Sequence, residues 1–389
     1  MAIKLNARSP YFLRAADANL DNATVNLYIY TGEKYVDKPS SPQYILSKEV
    51  LGVNTYVAFE IGELVRDYID SEFSELGGDD FEESYRTRVV DDGGTFVDSP
   101  CLDSYFNQLT EPKYRGQNVW VEATILEYSE AGDLLNTTEY LFIGFDGYSY
   151  FTDGANSELS RTLLQSNTDM YILSGERVQI PVFNEGVNYC DFLKDGVSLG
   201  IQYATDSDFS NKQTLYLGEN QEVDTILIYD NNSSYVPETT VKVYTIEECK
   251  YTPYKVTFIN KFGVLQDIWF FKKSMEQIST ESKEYKASVF DSFLLSYDTS
   301  KHQYKQFHKM GKQSITMNTG FVSEQYNEVL KELLLSEAVW MTKEVDSQEV
   351  VIPIKPKTES LTYKTRVNDK LINYSIEFEN AFDEINNIR

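Results

Sequence analysis

The sequence predicts a mainly β protein, built of tandem β-sandwich modules and closed by a C-terminal α+β unit. Three observations carry this. Short stretches of alternating apolar residues recur between turns rich in Asn, Asp, Gly and Ser. Aromatic residues make up 14% of the chain, led by 29 Tyr and 22 Phe, types that suit half-buried pleated surfaces and, for Tyr, protein interfaces. One clean helical stripe stands in the last third. At 389 residues the chain exceeds one ordinary domain, and the turn punctuation divides it at about 1–150, 151–250 and 251–389.

The first region opens its strands at Ala23–Tyr30, where Val25, Leu27 and Ile29 share a face, and continues at Tyr44–Leu46 and Thr55–Phe59. Ile61, Leu64, Val65, Tyr68 and Ile69 then fall at helical spacing. Val119–Tyr128 and Glu139–Phe145 flank Ala131-Gly132-Asp133, a hairpin pattern. Between the Ile61–Ile69 stretch and this hairpin, an insertion over 71–118 breaks the alternation. Its first part, Ser71–Thr95, carries eight acidic residues and two Gly-Gly pairs and reads as a mobile acidic loop.

The second region has strand patterns at Val178–Phe183, Val197–Tyr203, Asp224–Tyr229 and Thr240–Tyr244. In the third, Lys255–Asn260 and Val264–Phe271 flank a turn closed by Gly263. A helix is expected over Ser323–Ser336, with Tyr326, Val329, Leu330, Leu333 and Leu334 on one side and Ser323 as its cap. A strand at Val350–Ile354 precedes a hairpin in which Leu361–Val367 pairs with Ile372–Phe378 around Asn368-Asp369.

Charge is distributed unevenly. Residues 251–389 hold 18 Lys+Arg and 19 Asp+Glu, leaving 17 and 42 for residues 1–250. So acidic a stretch repels phosphate backbones and argues against tight nucleic-acid binding there. Cys101, Cys190 and Cys249 form no CxxC pair, which fits a reducing compartment and no disulfide framework. The opening Met1-Ala2-Ile3-Lys4 runs into polar sequence without the pattern of a signal peptide, and no apolar run approaches membrane length.

Chemistry-bearing motifs fail one by one. The two histidines, His302 and His308, sit in a lysine-rich stretch without a carboxylate, so a metal site lacks ligands and a solvated basic loop is the simpler reading. Gly311-Lys312 lacks the first glycine and the Ser/Thr of a phosphate loop. Gly196-Val-Ser-Leu-Gly200 has the letters of a nucleophile elbow, but Ser198 opens an apparent strand. Asp206 and Asp208 could start a calcium loop, but Asn211 and Leu217 occupy its glycine and glutamate places. No catalytic, cofactor-binding or metal residues are therefore expected, and the chain reads as a non-enzyme. Candidate subunit-interface residues are Asp79, Asp80, Phe81 and Tyr85 in the acidic loop. Lys301, Lys305, Lys309 and Lys312 in the basic stretch complete the set and suit an acidic partner surface.

The opening Leu5–Leu13, the stretch Tyr254–Phe271 and the terminal hairpin ending in Ile376–Phe382 together resemble virion structural proteins of tailed phages that infect Bacteroidetes, including the crAss-like group. The resemblance touches the start and the last third of the chain. It implies a tail or head–tail connector component: a ring or barrel subunit beneath the portal, with immunoglobulin-like modules and a tail-tube-like C-terminal unit. The implied partners are copies of itself, commonly twelve to a ring, and other tail and portal proteins. DNA would be only passing cargo along an acidic lumen, with no membrane insertion and no cofactor. The implied location is the virion tail, assembled in the host cytoplasm. The competing reading is a tail-fibre, spike or adhesin subunit that binds a host receptor or glycan.

Overall fold

The computed structural model describes residues 3–385 except 31–34, 53, 70–88, 91–95, 98–112, 115–117, 158–161, 177, 184–186, 204–213, 220–221, 231–235, 292, 294, 298, 346–347, 359 and 363–371. Asp79, Asp80, Phe81, Tyr85, the Asp206–Asp208 pattern and the Asn368-Asp369 turn lie outside the described residues. The chain is mainly β, arranged in several sheets.

The first unit comprises β1 (Ile3–Asn6), β2 (Phe12–Ala16), β3 (Asn22–Tyr30), β4 (Tyr44–Glu49), β5 (Tyr56–Glu60), α1 (Gly62–Arg66), β6 (Asn118–Tyr128) and β7 (Leu134–Phe145). One sheet has the order β1-β7-β6-β3-β4, and β2 pairs with β5 apart from it. The alternation of β3 buries Val25, Leu27 and Ile29 as expected. They meet Val121, Ala123 and Ile125 of β6, Leu13 of β2, Phe59 of β5, and Ile61, Val65 and Ile69 around α1 in one core. The helix is shorter than its stripe suggests: Tyr68 is exposed, and regular helix ends at Arg66.

The second unit comprises β8 (Asp169–Leu173), β9 (Val178–Phe183), β10 (Val187–Lys194), β11 (Val197–Tyr203), β12 (Thr214–Glu219), β13 (Thr225–Asp230) and β14 (Thr239–Ile246). Its sheets have the orders β8-β14-β13-β10-β11 and β9-β12, the latter extended by Lys113–Tyr114. Cys190 and Phe192 of β10, Ile226 and Ile228 of β13, and Val241 and Val243 of β14 share a core with Val178, Ile180 and Val182 of β9.

The topology of the first unit recurs in the second, strand for strand. In each, the first strand runs parallel to the last, the remaining neighbours in the large sheet are antiparallel, and the second strand pairs with the fifth.

The third unit comprises β15 (Tyr254–Ile259), β16 (Leu265–Phe270), β17 (Lys272–Lys286), β18 (Tyr304–Asn318), α2 (Tyr326–Leu335), β19 (Val339–Val345), β20 (Gln348–Pro356) and β21 (Ser375–Asn380). They form one sheet in the order β16-β15-β19-β20-β21-β18-β17. Its edge strands β16 and β17 are separated by Phe271 alone. Consecutive Cα atoms lie about 3.8 Å apart, so the sheet must curl until its two edges meet at that residue. Val329, Leu330 and Leu333 of α2 bury into the same core as Phe258, Phe270, Met317, Ile376 and Phe378.

Two expectations need correction. The basic stretch is not a loop beyond Tyr304, because β18 runs through Lys305, Lys309 and Lys312, hydrogen-bonded to β17. Ser323 does not cap α2: Gln325 holds that position and no side chain bonds the helix start. Of the expected terminal hairpin, the returning strand lies partly in β21, paired with β18 on one side and with β20 at Phe378–Asn380 on the other, and residues 363–367 lie outside the described residues.

The three units meet at the turn between β15 and β16. Its residues Phe262 and Val264 are buried with Tyr30, Trp120, Ile143 and Phe145 of the first unit and with Leu164 and Phe183 of the second. The Asn260 amide donates to Leu164 O at 2.8 Å and to Gln266 Oε1 at 3.0 Å, and Gln266 Nε2 donates to Asn167 Oδ1 at 2.9 Å. Tyr148 N donates to Lys261 O at 2.8 Å. Gly263 has φ +73°, and a Cβ there would stand 2.7 Å from the Asp146 carbonyl carbon and the Gly147 nitrogen.

Gly263→Ala is therefore expected to cost more than ~3 kcal/mol, combining left-handed strain with a backbone clash. Gly132→Ala, at φ +83° with nothing within 4 Å, should cost only about 1 kcal/mol. Denaturant unfolding of the two variants checks the difference.

Candidate functional site

The base of the β17–β18 ribbon belongs to the curled sheet, because β21 pairs with β18 only over Ser314–Asn318. Beyond that point the two strands continue as a ribbon, with every residue from Met275 to Lys286 and from Tyr304 to Lys309 exposed. Ten residues of strand from Gln277 to Lys286 span ~33 Å. A two-stranded ribbon exposed on both faces is at best marginally stable in water. Its composition is not that of an idle loop. Met275, Ile278, Tyr285, Phe290, Phe293, Leu295, Tyr297, Tyr304 and Phe307 are all exposed large hydrophobics along this arm and its tip.

Register assigns the ribbon's faces. Lys283 lies opposite His308 and Tyr285 opposite Lys305, with a register irregularity that adds Phe307 to β18. The Tyr285 and Phe307 rings stand 6.3 Å apart, so Lys283, Tyr285, Lys305, Phe307 and His308 gather on one side of the arm. The four lysines picked out from sequence do not form one patch. Lys301 lies at the tip. Lys305 and Lys312 share a face, and Lys309, pairing with Ser282, points to the other. Lys312 Nζ is also engaged within the chain, 3.4 Å from Glu379 Oε1, which Lys355 approaches at 3.2 Å. Those two lysines hold the Glu379 carboxyl below the usual carboxylate range.

A second cluster of ionisable groups lies where the units join. Asp146 is buried and stands 3.5 Å from Arg66, which with Arg8 also clamps Glu337. Burial raises the Asp146 carboxyl above its ordinary value, against the pull of Arg8 and Arg66. Glu332 of α2 is fully buried, accepts a hydrogen bond from Ser166 Oγ, and lies 3.8 Å from Lys261 Nζ. Lys261 also stands 3.6 Å from Glu328 Oε1, so one ammonium is shared by two carboxylates. Lys331 caps the Tyr150 ring at 3.3 Å and faces Glu328 at 3.8 Å. Burial pushes the Glu332 carboxyl up to about 7. These groups fasten α2 and the β15–β16 turn to both other units, through Arg8 and Arg66 to the first and through Ser166 to the second.

The remaining motifs take structural places. Ser198 lies within β11 of the β10–β11 hairpin and donates to Asp191, with strand where an elbow needs a helix. Gly311 is central in β18, where Glu384 N donates to its carbonyl. Cys190 is buried and Cys249 exposed, both as free thiols. Among the described residues no three His, Cys, Asp or Glu side chains converge as metal ligands, and no helix is long and apolar enough to cross a membrane.

Sequence reasoning missed the aromatic residues of the arm and the strand β17 beneath them. An amphipathic strand announces itself by alternation. Lys272–Lys286 has solvent on both faces and so shows no such period. The available signal was the concentration of Tyr and Phe among the lysines. No protein-family model matches the chain, and no curated protein matches its sequence.

The raised Glu332 value has a definite sign. Between its ordinary value of 4.5 and about 7 the folded chain holds a proton that the unfolded chain has lost. This group's contribution to stability therefore falls as pH rises through that window. Glu332→Gln should gain on the wild type in denaturant midpoint at pH 8 relative to pH 5. An unchanged difference between the two pH values would refute the assignment.

Proposed function

We propose that the chain is a structural subunit of a phage tail, a ring or barrel component beneath the portal that works by assembly and performs no chemistry. The observation that carries this reading is the projecting β17–β18 arm, whose apolar and basic side chains lack cover within the chain's own core. Exposed apolar surface of that extent costs solubility unless a neighbour covers it. A ring needs such an element, because its side-to-side contacts are heterologous: one patch reaches a different patch on the next copy. The resemblance of Leu5–Leu13, Tyr254–Phe271 and Ile376–Phe382 to tail components points the same way.

The finer architecture follows the same reading. Two units with a first strand parallel to the last, and a second strand paired with the fifth, support immunoglobulin-like modules. The curled seven-stranded sheet with α2 against its inside is compatible with a tail-tube-like unit. The acidic first 250 residues, with 17 Lys+Arg against 42 Asp+Glu, would supply a wall to which passing DNA does not adhere.

Negative-stain images of the purified chain are expected to show closed rings, and elongated trimeric rods would replace this reading with the fibre or adhesin one. Reversing Lys301, Lys305 and Lys309 to Glu should reduce the assembled mass in light scattering while leaving the thermal midpoint within a few degrees, because exposed charges contribute little to folding. Adding Lys312→Glu should cost some stability as well, through Glu379.

A further inference from the structure

The equivalent sheets of the first two units present different outer faces. In the first unit the outward row across β4, β3 and β6 is Ile45, Asn26 and Thr124. Nearby, Lys38 pairs with Glu122 at 2.6 Å. In the second unit the row across β11, β10 and β13 is Tyr203, Tyr189 and Tyr229. The Tyr189 ring lies 4.4 Å from Tyr229 and 5.6 Å from Tyr203. Tyr203 is 53% exposed and the neighbouring Ile201 47%. Asp191 stands opposite Ile201 on the same face. The shared topology does not require this aromatic row, since the first unit folds without it.

The charges around the two surfaces differ. Residues 151–250 carry 6 Lys+Arg against 16 Asp+Glu, whereas residues 275–312 of the arm carry 6 Lys against 5 Asp+Glu, and on the side of Tyr285 the register places Lys283, Lys305 and Lys312 with Glu281. One side of the arm gathers Lys283, Tyr285, Lys305, Phe307 and His308. We propose that this side of the arm of one copy seats on the tyrosine row of the second unit of another copy. Aromatic and apolar groups would meet in the centre, with arm lysines against the acidic rim. The arrangement has the anatomy of a protein interface, an apolar centre with charge at its edge, and the complementary fields favour this pairing over arm-to-arm or face-to-face contact. Because the two patches differ, the contact is heterologous, and repetition of it generates a ring or a filament rather than a two-fold dimer. The inference rests on the assembly reading above and names the surface that receives the arm.

The test uses the full chain with Cys249→Ser as background. Phe307→Cys and Tyr203→Cys are made separately in that background, mixed, and oxidised. Covalent dimers are expected in the mixture, and markedly fewer from either variant alone. In parallel, Tyr203→Ser with Ile201→Ser should weaken self-association in sedimentation velocity at least tenfold, while Phe12→Ser, an exposed aromatic of the first unit, leaves it unchanged. Association that persists with neither cross-link nor loss in the Tyr203/Ile201 variant overturns the tyrosine row as the receiving surface and leaves the assembly reading intact. A wild-type chain that stays monomeric at every concentration overturns both.

Discussion

The close approach of the β15–β16 turn to the segment after β7 is the constraint on which the rest of the structure depends. Gly263 lies so near the Asp146–Gly147 backbone that a methyl group has no place. That contact lets Phe262 and Val264 reach a core shared by all three units. Burying a turn among three sheets strands backbone and amide groups away from water, and each such group left unpaired would cost about 1–3 kcal/mol. Asn260, Gln266 and Asn167 satisfy one another and Leu164 O. These amides of the joint therefore tolerate burial because they form a connected set.

Two units of one topology meet at that joint, and they differ in the faces they do not bury. The inward positions of both are mostly Val, Ile, Leu, Ala and Phe, as any sheet over a core demands. The rows compared carry the difference, Ile45, Asn26 and Thr124 in one and three tyrosines in the other. One architecture can present different surfaces at little cost to folding, since exposed substitutions move stability by only about 0.5 kcal/mol.

The arm is the opposite case. Its base draws stability from Ile315 and Met317 in the curled sheet's core, but its outer part has cross-strand hydrogen bonds and little buried area. Lysines along β17 and β18 and the register irregularity at Phe307 blunt edges that would otherwise recruit any passing strand. Such an element exposes an aromatic surface while discouraging open-ended sheet addition.

The alternation of β3, the apolar stripe of α2 and the glycine turn at 263 were legible from the amino-acid sequence, because each is set by local period or by a backbone conformation that few residues adopt. So was the mainly β class. What the tertiary structure decided was every relation between distant segments. Pairing set β21 between β18 and β20, strands that no local pattern links to it. The topology shared by the first two units left no repeat in the sequence, because a core asks for apolar character at alternate positions and not for particular residues. The basic stretch became a strand through its partner β17, whose residues face solvent on both sides and carry no period to read. Local patterns record which side of an element is buried, and only the assembled chain determines what lies against it.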